Sequence, residues 1–71
     1  MKNVVIGSLV EIVSVQANRY TWSIGKIGLV TKKTRGSKLG TTYRGFICEV
    51  LVENKIVEIL DKDLKITQQK E

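Results

Sequence analysis

TYRGFICEVLVENKIVEILDKDLKIT, residues 42–67, decides the fold. In its first eleven residues Phe46, Cys48, Val50 and Val52 fall on one face of an extended chain, and Ile47, Glu49 and Leu51 on the other. A period of two, rich in β-branched side chains, is the pattern of a strand and not of a helix. Glu53-Asn54-Lys55 follows as a tight turn, Asn54 being suited to the left-handed backbone that a short hairpin needs. Residues 56–60 return as the next strand. Asp61-Lys62-Asp63 has the length of a single 3-10 turn, and residues 64–67 make a last short strand before a polar tail at about 68–71.

The chain ahead of this stretch reads the same way. SLVEIVSV (8–15) is a first strand with Val10 and Ile12 on one face, and QANRYTWSI (16–24) is a polar and aromatic loop that closes at Gly25. KIGLVTKK (26–33) is a second strand with Val30 inward and Gly28 where a side chain would stand, a sign of a bulge or of close backbone approach. TRGSKLGT (34–41), with two glycines and two basic residues, is the clearest loop and is expected to be flexible. Five short strands joined this way describe an all-β fold, a small barrel whose closure removes the exposed edges of an open sheet. An oligonucleotide-binding barrel has the same strand count, but usually carries a helix where this chain has the 53–55 turn.

At 71 residues the chain is one domain, 1–71, near the lower limit for folding without disulfides or metals. Its one cysteine, Cys48, has no intrachain partner and reads as a small buried hydrophobe. With no histidine, a zinc site of cysteine and histidine lacks its ligands, and no metal or cofactor is expected. The apolar run near the N-terminus is too short for a secretory or membrane segment, so a cytoplasmic protein without membrane contact is expected.

The net charge of +5 is unevenly spread. From residue 12 to residue 48 there is no acid, while Arg19, Lys26, Lys32, Lys33, Arg35, Lys38 and Arg44 contribute +7; from 49 to 71 six acids face four lysines, or −2. All four aromatic residues, Tyr20, Trp22, Tyr43 and Phe46, also lie in the acid-free stretch. Cations beside planar rings suit a nucleic-acid backbone and its bases, or an acidic protein surface. Against this stands a basic face kept for solubility, with Phe46 in the core and the Trp22 indole folded over an open end of the barrel.

The order of elements resembles the SH3-like barrel. GSLVEI followed by GKIGLV, within residues 7–30, looks like the KOW motif of ribosomal proteins and transcription elongation factors: Gly7, inward Val10 and Ile12, then Gly25, Gly28 and Val30. CEVLVENKIVEILDKDLKI is similar to the closing strands of SH3-like domains, with Leu64 as the buried leucine that follows the one-turn helix. The loop carrying Tyr20 and Trp22 is longer than the compact motif has. The arrangement is also similar to small basic SH3-like subunits of photosynthetic complexes, which dock on acidic protein surfaces, and to short SH3-like proteins of tailed phages. What the resemblance implies is a five-stranded barrel with a one-turn 3-10 helix before its last strand, and a host cytoplasm if the chain is phage-encoded.

Catalysis is not expected. The commonest general base, histidine, is absent, Asp61 and Asp63 are explained by capping and solvation in a turn, and RGSKLGTT lacks the spacing of a phosphate-binding loop. The resemblance also implies that proline-rich ligands with a basic anchor are disfavoured, because the first long loop bears Arg19 and no acid. The leading expectation is a non-enzymatic module that contacts RNA or DNA without sequence specificity through Arg19, Tyr20, Trp22, Lys26, Lys32, Lys33, Arg35, Lys38 and Arg44. The alternative is an assembly subunit docking the same surface on an acidic protein. A third reading is self-association through Leu9, Val13, Val15, Ile47 and Leu51, which fall on the face opposite the core.

Overall fold

The computed structural model describes residues 4–68; residues 1–3 and 69–71, most of the polar tail among them, lie outside the described residues. The chain is all-β: β1 (Leu9–Ile12), β2 (Ile27–Arg35), β3 (Phe46–Val52), β4 (Lys55–Leu60) and β5 (Leu64–Gln68) form one antiparallel sheet in the order β4-β3-β2-β1-β5. Three 3-10 turns, Asn18–Ser23, Gly36–Leu39 and Asp61–Asp63, fill the connections.

One face of this sheet buries Val10, Ile12, Val30, Cys48, Val50, Val52, Val57, Ile59 and Leu64 to within 1% of full exclusion. Among the described residues no helix or second sheet lies over that face, so the sheet excludes water from it by rolling around it. Two features of β2 let it roll. Thr31 is an extra residue between the Val30–Val50 and Lys32–Glu49 pairs, a bulge that bends the strand and increases its twist. Its first residues pair with β1, and from Leu29 onward it pairs with β3.

Gly28 is the second feature. A Cβ there would lie 2.5 Å from Val50 Cγ1, 2.6 Å from Val52 Cγ2 and 2.8 Å from the Leu51 carbonyl oxygen. Of the two readings of Gly28, close approach is the one observed; the bulge lies three residues further on. β4 and β5 remain the outer strands of the ladder, so packing of side chains, and not a continuous ring of hydrogen bonds, holds the roll together.

The hairpin and the closing elements follow the pattern of the sequence. Glu53 and Asn54 both have positive φ, 50° and 66°, the backbone of a two-residue hairpin turn, and Asp61–Asp63 is the one-turn connector. Other boundaries move. β1 stops at Ile12, because the Val13 N–H leaves the ladder to donate to the Asp63 carbonyl at 2.9 Å. β3 begins only at Phe46, because the backbone just before it bonds locally, the Tyr43 N–H to Thr41 Oγ1 at 3.2 Å and the Gly36 N–H to the Gly45 carbonyl at 3.0 Å. Of the segment expected to be a flexible loop at 34–41, Thr34 and Arg35 extend β2 and pair with Ile47 and Phe46, and Gly36–Leu39 is a 3-10 turn pinned at its base, with Thr41 Oγ1 donating to the Gly36 carbonyl at 2.9 Å.

Candidate nucleic-acid interface

The nine residues expected to form one basic and aromatic surface fall into two groups near opposite ends of β2, with Lys32 on the outer face between them. Eight residue steps separate Ile27 from Arg35, roughly 25 Å along a strand.

At the end near Ile27 stand Arg19, Tyr20, Trp22 and Lys26. Tyr20 and Trp22 belong to the Asn18–Ser23 turn, whose backbone is tightened by Ser23 Oγ donating to the Tyr20 carbonyl at 2.6 Å. Both rings are half-buried and pack against the core. The Arg19 guanidinium lies 4.9 Å from the Tyr20 ring centre and the Lys55 ammonium 5.2 Å from that of Trp22, while Lys26 pairs with Glu53 at 3.0 Å. Trp22 therefore caps the core at this end. The sequence placed Lys55 outside the site, in the acid-balanced half; the β3–β4 hairpin brings it back over the indole.

At the other end stand Lys33, Arg35, Lys38 and Arg44, joined by residues the sequence reading left out of the site: Tyr43, Phe46 and Lys62. Phe46 is not core, as its place in the β3 alternation suggested. It sits at the mouth of the barrel, half-buried, with the Lys33 ammonium 4.4 Å and the Arg35 guanidinium 5.2 Å from its ring centre. Lys33 is also tied inward, donating to the Val4 carbonyl at 2.7 Å. Lys62 lies 5.9 Å from the Tyr43 ring centre.

Asp61, at this end, is half-buried and engaged by internal donors. Asp61 accepts the Tyr43 hydroxyl on Oδ1 and the Phe46 N–H on Oδ2 at 3.2 Å. Gly45 makes this possible, since a Cβ there would lie 2.7 Å from the Tyr43 hydroxyl and 2.8 Å from Asp61 Oδ1. Desolvation first, then the hydrogen bond and charge of Asp61, push the Tyr43 phenol up to about 12. Asp63 is buried and accepts from Gln16 Nε2 at 2.9 Å. Neither carboxylate is a solvated cap: both bridge segments far apart in the chain.

Three cations, Lys33, Arg35 and Lys62, thus lie over two rings, Lys38 on the Gly36–Leu39 turn and Arg44 next to Tyr43 in the chain add to the positive charge of this end, and Asp61 is committed to internal donors. Among the described residues Arg35, Lys38, Arg44 and Lys62 form no ion pair. Such a cluster attracts phosphates or carboxylates, and each ring it frames already has a cation over its face. Lys32 does not belong to it, since its ammonium faces Glu49 at 3.7 Å on the outer side of the sheet. Cys48 is fully buried, and desolvation above all pushes its thiol up to about 11, so it offers no nucleophile to either end. No helix among the described residues is long and apolar enough to cross a membrane. Compared with protein-family models, with curated protein sequences and with solved structures, the chain finds no match in any of the three.

Proposed function

We propose that the protein is a non-enzymatic binding module that contacts nucleic acid without sequence specificity through the end of the barrel bearing Arg35, Lys38, Arg44 and Lys62. The observation that carries this reading is that, among the described residues, Arg35, Lys38, Arg44 and Lys62 form no ion pair, Arg35 and Lys62 lying over the Phe46 and Tyr43 rings, at an end where Asp61 is spent on internal hydrogen bonds. The strand order, the bent β2 shared between β1 and β3, and the one-turn connector before β5 support the resemblance to SH3-like barrels.

Because cations cover the rings, phosphate contacts supply the affinity and base stacking adds little. Tyr20 and Trp22 are assigned to capping the core, Arg19 and Lys26 to the surface beside them, and Lys32 to the outer face. Binding of labelled single-stranded and duplex oligonucleotides, followed by anisotropy over a range of salt, tests the assignment. A site of this size is expected to bind in the range of about 10⁻⁴–10⁻⁶ M, with a log–log salt slope of about −3.6 for duplex if all four cations meet phosphates. Arg35→Ala, Lys38→Ala or Arg44→Ala should each lower affinity for all sequences alike and reduce the slope by about 1. Lys65→Ala, on β5 beside Glu11, should change neither. A flat salt response, or equal losses at Lys65 and Arg44, would overturn the proposal; binding to an acidic protein with no binding to oligonucleotides would favour docking instead.

A further inference from the structure

The outer face of the sheet carries a feature that phosphate binding does not use. Leu9, Leu29, Leu51 and Ile56 stand directly opposite one another across four neighbouring strands, Leu9 with Leu29, Leu29 with Leu51 and Leu51 with Ile56. All four point away from the core and are 36%, 37%, 37% and 48% exposed. At the spacing of paired strands they make a continuous aliphatic bar about 14 Å long, widened by exposed Ile27 on the same face of β2. Single exposed leucines are ordinary; a contiguous row marks an interaction surface.

We infer that this face is the interface of a homodimer. On its side toward Arg35 the bar is bordered by a charge pair, Lys32 on β2 directly opposite Glu49 on β3; on its other side Glu11 stands opposite Ile27. Consider a two-fold axis in the plane of the interface, parallel to the strands and passing between β2 and β3. It lays Leu29 on Leu51 of the second copy and Leu9 on Ile56, so that aliphatic side chain meets aliphatic side chain along the whole bar. It also places Lys32 against Glu49 of the second copy, and Glu49 against its Lys32. Both the apolar row and the charge border are therefore self-complementary under a single operation, as an isologous interface requires. Glu58, opposite Glu49 on β4, falls at the solvent-exposed rim.

The size of the molecule is consistent with this arrangement. Its extents are 30 × 27 × 20 Å, so a bar about 14 Å long fits within its broad side with room for a polar rim around it. Two such faces meet at about 10 Å separation, with the strands on either side of the axis running nearly parallel.

Sedimentation equilibrium of the full chain, taken up to about 1 mM, is the first measurement. The expected mass is twice that of the 8.0 kDa chain. Lys32→Glu and Glu49→Lys each leave both border positions with one sign, in their own copy and in its twin. Each should raise the dimer dissociation constant at least about 100-fold. An equimolar mixture of the two variants sets an all-acidic border against an all-basic one and should restore dimers, now mixed. A wild-type chain that stays monomeric at the highest concentration would overturn the inference and leave the face to a different protein. Wild-type dimers that survive both single substitutions would place the interface elsewhere, and variants that stay monomeric when mixed would refute the exchange of Lys32 and Glu49. The design does not depend on nucleic-acid binding, and neither position lies in the basic cluster.

Discussion

At the scale of the residue, Tyr43 and Asp61 form the joint between the Gly36–Leu39 connection and the Asp61–Asp63 turn. With its folded value near 12 and an ordinary value of 10.0, the phenol is neutral in both states below pH 10. The preference of the fold for the neutral phenol is complete there and is lost as pH rises from about 10 to about 12. Tyr43→Phe should therefore cost about 1 kcal/mol at pH 8, where Asp61 Oδ1 loses its donor. The difference between wild type and variant should then shrink across that alkaline window. Urea unfolding at pH 8, 10 and 11.5 measures both, and a difference that stays constant with pH would refute the role given to the hydroxyl. Cys48 also weakens the fold as pH rises, between its ordinary 9.0 and about 11, but equally in both proteins.

At the scale of the element, β2 is the part on which the architecture depends. Its bulge at Thr31 and its missing side chain at Gly28 let one strand serve two neighbours and bring its backbone against β3. Gly28→Ala places a methyl within 2.8 Å of the Leu51 carbonyl as well as of two valine methyls, and the backbone atom cannot step aside. The expected loss is about 1–3 kcal/mol, which in a domain this small lowers Tm by roughly 4–8 °C per kcal/mol. Thermal denaturation followed by circular dichroism measures it, and an unchanged Tm would show that β2 and β3 separate there at no cost. The Lys26–Glu53 and Lys32–Glu49 pairs add little to the monomer, since their side chains are 34–65% exposed and the charges are screened by water.

At the scale of the whole molecule, a core of about ten small and medium side chains has to balance the ordering of the chain, so each buried group carries a large share of the stability. Leu64, fully buried where the last 3-10 turn meets β5, closes the roll against β1 through its pairing with Ile12. Leu64→Ala is expected to cost about 2–5 kcal/mol. Cys48 reports on this, because its buried thiol reacts only when the core opens. Its labelling by a thiol reagent in native buffer should be at least about 30-fold faster in the variant, and equal rates would mean that Cys48 is reached without opening the core.

The sequence by itself determined the number and order of the strands, the hairpin turn, the one-turn connector, the inward Val10, Ile12, Val30, Cys48, Val50, Val52 and Leu64, and the acid-free charge block, because periodicity, turn chemistry and composition are local properties; inward Val57 and Ile59 came from the structure. The sequence also placed Leu9, Val13 and Leu51 on the outer face, where they are exposed, whereas Val15 and Ile47 turned out half-buried. Which residues share a surface was a matter for the tertiary structure alone. Lys62 and Lys55 come from the acid-balanced half of the chain and reach Tyr43 and Trp22 only because hairpins return them there. Phe46 has the spacing of a core residue, yet it begins a strand, and the first residue of a strand stands at the mouth of a roll. The alignment of Leu9, Leu29, Leu51 and Ile56 depends on register across four strands. Alternation sets the face a side chain takes within its own strand, but only the pairing of strands sets what stands beside it.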